Sequence, residues 1–472
     1  MCTCERVVVA MGVVCEDLVP ILVAVFLLFV LTVNAVIYTS YSLGAIALAR
    51  GLIRGSPYVD LWLCVYADHV FTERGCIYTG PLGLALLLVV PTLLADALHI
   101  SPLALCGVAM VFTGVLAIYF SYSLYRELGG SREEALFVSV VNGLCGPLWV
   151  YSVHVFPQAP LAFLYALFLY TLLKLLDTAR AIYGAVLGLL ASAMILLDPS
   201  MAITICVLLL IALYYALRGC GRWSARRVAL VAILFLASAL PLATAQLLYN
   251  LIVTSNPLTF PEMLWLRRIG VEGLGFNPLQ IPYGLYTLFI DLRKGLIPLY
   301  PIYILALMYM PKALKGMKRE SKAVWLVAIT MPILVYASWQ DVDGGLSYGP
   351  RFLVPITLLM AYPLTHIAKS KSRVAKATLI TLAMFSLAEN LFVVTTTPYP
   401  APLEKLKPFE NQFLSSELRH FAEGFRASLI YKELEEALNP GLATVLALVI
   451  PIALAIAIFM SVTKKLLKAH ST

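Results

Sequence analysis

Charge is scarce in this sequence. Asp, Glu, Lys and Arg supply 13% of its 472 residues, against roughly 25% in an ordinary soluble domain. Hydrophobic residues make up 61%, and the mean hydropathy is +0.89. So little polar surface excludes a soluble enzyme or a disordered chain. Nucleic-acid binding is excluded too. The net charge is +8, but the basic residues collect in a few short loops, as membrane topology requires. Cysteine is sparse as well: nine are too few for a disulfide scaffold. Cys106, Cys145 and Cys206 lie in apolar runs, where Cys acts as a small hydrophobe. Cys64 and Cys76 share one loop, and the sequence leaves open whether they pair or stay free. There is no phosphate-binding glycine loop, no HExxH and no paired CxxC. No small-residue cleavage site follows the first apolar run, so Leu18–Ile37 reads as a permanent helix.

What remains is a series of long apolar stretches. A crossing helix needs about 20 apolar residues. Thirteen runs are candidates: 18–38, 81–97, 103–124, 135–152, 158–176, 181–197, 200–217, 228–249, 293–311, 323–339, 352–368, 377–396 and 440–462. The basic loops 218–227, 312–322 and 369–376 and the Lys-rich tail alternate correctly with the runs between them, which assigns all four to the cytoplasm. Run 81–97 breaks this parity. It is short, contains Pro91 and Asp96, and is read as an outer-leaflet dip rather than a crossing. The expectation is an all-α polytopic protein of the cell membrane with about 12–13 transmembrane helices. Both termini are inside, and residues 1–472 form a single integral membrane domain. The outside then owns segments 39–80, 250–292, 340–351 and 397–439.

Polar residues at membrane depth are costly and mark candidate sites. The densest group runs from Trp339 through Asp341, Asp343, Gly344, Gly345, Tyr348, Gly349 and Pro350 to Arg351. Its glycines permit a tight turn, and Arg351 opens an apolar run at the outer face. There its planar fork suits a phosphate; equally, it could snorkel to headgroups and pair with Asp341 or Asp343. The first outer segment carries Asp60, Asp68, Glu73 and Tyr78. A carboxylate there is either solvated or a general base. Arg293 and Lys294, following Asp291, read as a phosphate clamp or an interfacial anchor.

On these residues the chain resembles the GT-C type membrane glycosyltransferases, a group that includes protein O-mannosyltransferases and aminoarabinose transferases. The resemblance rests on four stretches: Asp60…Asp68…Gly75-Cys-Ile-Tyr78-Thr-Gly-Pro81-Leu-Gly83, Leu248-Tyr249-Asn250…Asn256-Pro257, Arg293-Lys294-Gly295-Leu296…Tyr300-Pro301, and Gly344-Gly345-Leu-Ser-Tyr348-Gly349-Pro350-Arg351. It implies GT-C-like outer loops and a site for a polyprenyl-phosphate sugar. Arg351, with Tyr348, Arg293, Lys294, Tyr78 and Asp343, would bind the donor. Asp68 or else Asp60 would act as base toward a glycan, lipid or protein acceptor. The resemblance implies no certain cofactor, and a divalent metal is possible. One departure stands out. Members usually carry an acid directly after the first helix, and here the stretch from Asn34 to Ser42 has none. A non-catalytic lipid-phosphate binder or transporter on the same scaffold is the alternative reading.

Overall fold

The computed structural model describes residues 18–35, 39–66, 68–218, 223–271, 273–345, 347–396, 411, 419–420, 423 and 426–469. Helix α1 (Leu18–Leu31) leads to α2 (Ser40–Ile53), a hairpin of β1 (His69–Thr72) and β2 (Gly75–Tyr78), and α3 (Leu82–Leu98). Then follow α4 (Pro102–Glu127), α5 (Arg132–Cys145), α6 (Leu148–Ser152), α7 (Gln158–Thr178), α8 (Ile182–Leu197), α9 (Met201–Arg218) and α10 (Ala225–Thr254). The second half comprises α11 (Pro261–Arg268), α12 (Ile281–Phe289), α13 (Leu296–Leu299), α14 (Ile302–Gly316), α15 (Arg319–Ala337), α16 (Val354–Met360), α17 (Leu364–Ala368) and α18 (Arg373–Thr395). Helices Leu429–Ala437 and Pro440–Ala469 close the described chain.

Among the described residues, seven helices are long and apolar enough to span a bilayer by length and composition: α4, α7, α9, α10, α15, α18 and Pro440–Ala469. Further apolar helices, among them α1, α2, α3 and α8, are shorter, and other apolar runs of the sequence are interrupted by breaks. Pro removes a backbone donor and clashes with the preceding turn. Accordingly, Gly146-Pro147 divides the run 135–152 into α5 and α6, and Pro363 lies between α16 and α17. The run expected at 293–311 becomes helical in full only from α14, after Pro301. Segment 39–80 is more ordered than expected, holding α2 and the hairpin. Most of segment 397–439 lies outside the described residues. Run 81–97 forms the unbroken helix α3. Gly83 lies against Leu196 and Leu197 at the end of α8, and Thr92 lies against Cys106 near the start of α4.

Two devices hold the bundle together where the hydrophobic effect between lipid-bathed helices is weak. Small residues let backbones approach: a Cβ at Gly184 or Gly188 of α8 would stand 2.6 Å from the Val231 carbonyl oxygen or 2.1 Å from that of Phe235 in α10. The second device repairs the break at Gly146-Pro147. That break leaves carbonyls without helical donors, and Asn390 of α18 donates to both Leu144 and Gly146 at 2.8 Å. Its own side-chain carbonyl accepts from the Tyr300 hydroxyl at 3.1 Å. Asn390→Leu removes these donors from a fully buried position. Each orphaned buried group costs about 1–3 kcal/mol, so the variant should unfold at clearly lower temperature in detergent. An unchanged midpoint would show that the break does not need this cap.

Candidate functional site

The segment between α2 and α3 is fastened in three places. Cys64 and Cys76 form a disulfide, which resolves the choice the sequence left open. Strands β1 and β2 pair antiparallel with His69 opposite Tyr78 and Thr72 opposite Gly75. Thr79 then donates its backbone N–H and its hydroxyl, each at 3.0 Å, to the Asp68 carbonyl. Asp68 is thereby fixed at the root of the hairpin. Its carboxylate accepts a hydrogen bond from the hydroxyl of Ser40, the first residue of α2. The chain thus folds a later carboxylate back to the stretch after α1, where sequence inspection found no acid. Asp60 is placed differently. It is exposed and stands at the N-cap position of the 3-10 turn Leu61–Val65 without a side-chain cap bond.

The glycine-rich stretch after α15 makes a turn that only glycine adopts easily. Gly344, Gly345 and Gly349 have φ of 69°, 59° and 59°, in the left-handed region. A Cβ at Gly344 would stand 2.8 Å from Arg351 Nε, so the missing side chain also leaves room for the guanidinium. Arg351 opens the 3-10 turn Arg351–Leu353, and its guanidinium lies 4.8 Å from the Phe352 ring centroid. Its Nε is buried with no hydrogen-bond partner among the described residues. It makes no ion pair with Asp341 or Asp343, the partners considered from sequence.

Of the other expected donor-binding residues, Lys294 and Tyr348 brace this turn, whereas Arg293 and Tyr78 are committed elsewhere. Lys294 is buried, and its ammonium donates to the carbonyls of Asp343 at 2.6 Å and Gly345 at 2.8 Å. Burial pushes that ammonium down to about 7, with Asp343 opposing. Arg293 pairs with Asp291 through Nε at 3.0 Å and a terminal nitrogen at 2.6 Å. The Tyr348 hydroxyl donates to Glu389, and its carbonyl accepts from the Tyr151 hydroxyl at 2.7 Å. Tyr78 is fully buried, edge-on to Tyr41.

Asp68, Asp341 and Arg351 meet in one cavity of about 530 Å³. Neither Asp60 nor Tyr78, Arg293, Lys294, Asp343 or Tyr348 reaches its wall. Aromatic rings from Tyr41, Tyr336 and Trp339 line it. Its roof comes from the segment around α11, which is stitched to the glycine turn: Asn277 N–H donates to the Ser338 carbonyl at 2.7 Å, and Gln340 N–H to the Gly275 carbonyl at 2.9 Å.

Two further carboxylates in the wall were not singled out as site residues in the sequence. Asp198 accepts from the Ser200 N–H at 2.9 Å, the Ser200 hydroxyl at 2.6 Å and the Tyr336 hydroxyl at 2.7 Å. Glu262, in the first turn of α11, lines the cavity with no hydrogen bond to its carboxylate among the described residues. Burial and then Asp198 push it up to about 7, against the pull of Arg351. Burial also raises Asp341, again opposed by Arg351. Glu262 sits in a segment read only as an outer loop, and no short motif marks it. The described residues include no group of three or more His, Cys, Asp or Glu placed to hold a metal ion.

The fold is similar to that of solved GT-C glycosyltransferase structures. The structure is similar to ArnT from Cupriavidus metallidurans bound to undecaprenyl phosphate, with a TM-score of 0.54 and 13% identity over 96% of this chain and 78% of that one. The apo form of the same protein gives a TM-score of 0.55 and 15% identity over 97% and 77%. The archaeal oligosaccharyltransferase AglB from Archaeoglobus fulgidus, in complex with an inhibitory peptide and a dolichol-phosphate, gives 0.52 and 13% over 79% of this chain and 55% of AglB. At such identities the likeness establishes the fold. No protein-family model matches the sequence, and a search of curated proteins matches none.

Proposed function

We propose that this chain is a membrane glycosyltransferase that moves a sugar from a polyprenyl-phosphate donor to an acceptor hydroxyl on the extracytoplasmic side. The observation that carries this reading is the convergence of Asp68 and Arg351 on one cavity from loops more than 250 residues apart. Two of the similar solved structures contain polyprenyl phosphates, which supports the donor class. In this reading the lipid lies along the bilayer and its phosphate rests against Arg351, whose planar fork stabilises the leaving charge. Asp68 takes the proton of the acceptor hydroxyl as that oxygen attacks the anomeric carbon from the face opposite the phosphate. The sugar is transferred with inversion and the lipid phosphate departs. Lys294 and Tyr348 act as struts of the turn that presents Arg351.

Incubating the purified protein with a panel of polyprenyl-phosphate sugars tests the reading directly. Release of lipid phosphate that depends on an added acceptor is the expected result. Binding without any release would instead favour the lipid-phosphate binder or transporter.

The placement of the site also commits the topology. A cysteine introduced at Leu279, which is 90% exposed, should react with an impermeant thiol reagent from outside the cell. One at Lys315 should react only after the membrane is opened. Labelling of both from one side would remove the outer location of the cavity.

A further inference from the structure

We infer that Glu262 is a second contact to the donor phosphate: as a neutral carboxylic acid it donates a hydrogen bond to a phosphate oxygen beside Arg351. This rests on the phosphate-binding reading above and assigns that site a residue no sequence motif indicates.

The wall carboxylates Asp198 and Glu262 interact with each other. Three donors and no acceptor face Asp198, the arrangement an anion requires. Glu262 has no donor among the described residues, and its carboxyl opens onto the cavity. When one of two neighbouring carboxylates is held as an anion, the other favours the neutral form, and the pair divides into distinct roles. Burial and the charge of Asp198 act on Glu262 in that direction, bringing it up to about 7. The start of α11 favours the ionised form, but only weakly.

An ionised Glu262 would set a negative charge against the phosphate and cancel part of the field of Arg351. A protonated one repels nothing and adds a donor. The groups acting on it come from several elements. Asp198 comes from the connection between α8 and α9, and Asp341 and Arg351 from the glycine turn. Tyr41 of α2 lies among them. On the hairpin packed against α11, His69 is buried, and burial lowers its own protonation. On α11 itself, Arg268 donates to the His69 carbonyl at 2.8 Å.

The consequence is a sign. Donor affinity is high below about 7, where Glu262 is protonated, and falls as the pH rises through that value. A change of one unit in the acid's pKa on binding corresponds to about a tenfold change in affinity. The probe is undecaprenyl phosphate, titrated into the full-length protein in detergent between pH 6 and pH 8.5. Its own second ionisation is common to every variant, so the comparison with Glu262→Gln isolates the side chain. Gln keeps a neutral donor, so this variant should bind tightly and lack the wild-type loss of about tenfold. Calorimetry in buffers of different ionisation enthalpy gives a second reading: binding to the wild type near pH 7 should take up a proton, and binding to Glu262→Gln should take up less.

A wild-type pH profile and proton uptake unchanged in Glu262→Gln would overturn the assignment. So would a profile that persists in Glu262→Gln and disappears in Asp341→Asn. If undecaprenyl phosphate does not bind the wild type at any pH, or binds equally well to Arg351→Ala, the underlying phosphate-site reading has failed instead.

Discussion

Asp68→Asn should lower the rate of sugar transfer by about 10²–10⁴-fold, the usual cost of removing a general base, while leaving donor binding intact. Asn has the shape of Asp, and its carbonyl oxygen can still accept from Ser40. The backbone bonds from Thr79 to residue 68 do not involve the side chain at all. The hairpin and its disulfide therefore remain in place, and the variant loses only the capacity to take a proton. Asp60→Asn is the matched control, because Asp60 is exposed and outside the cavity. Full activity in Asp68→Asn together with inactivity in Asp60→Asn would transfer the role to the other carboxylate. Full activity in both would mean that no acid of this segment serves as base.

The second large effect is expected at Arg351. Arg351→Lys preserves the charge but replaces a planar fork with a single ammonium, and Lys cannot bind two phosphate oxygens in parallel. Hydrogen bonds to charged groups contribute about 1.5–3 kcal/mol each, so loss of one arm should weaken undecaprenyl phosphate binding roughly ten- to a hundredfold. The geometry makes the change harder to absorb. The Arg351 side chain passes close to Gly344, and its guanidinium lies by the Phe352 ring, so the fork is directed before a ligand arrives. Wild-type affinity in Arg351→Lys would reduce the residue to an interfacial charge. Binding equilibria and transfer rates should be measured on the same preparations, because an altered fold depresses both together.

Much of this was legible in the sequence. Apolar runs announced a polytopic helical protein, and the ordered short motifs pointed to the GT-C architecture that the structure shows. Arg351 and Asp68 were both singled out, and they do meet in one cavity. What the sequence hid was of three physical kinds. Helix breaks at Gly146-Pro147 and Pro363 are invisible to a count of apolar residues, because hydropathy does not register a lost backbone donor. Cationic residues were read as ligand contacts because charge suggests phosphate. Lys294 instead spends its donors on the carbonyls of Asp343 and Gly345, and Arg293 on Asp291, commitments that depend on tertiary packing. Glu262 carries no pattern as an isolated acid in a loop, and Asp198 before Pro199 reads most simply as a helix cap; only the cavity brings them together.

The disulfide between Cys64 and Cys76 gives the site a date of completion. The segment it closes contains Asp68, and thiols in a reducing cytosol do not stay oxidised. On the topology and role proposed above, membrane insertion by itself delivers a bundle whose base sits on a loop held by the hairpin and the Thr79 bonds but not yet by its covalent link. The final covalent form waits until that loop has been exported and has met an oxidant. On that reading, a chain still being inserted, or inserted with the wrong side out, is marked chemically: it lacks the covalent link that closes the loop around Asp68.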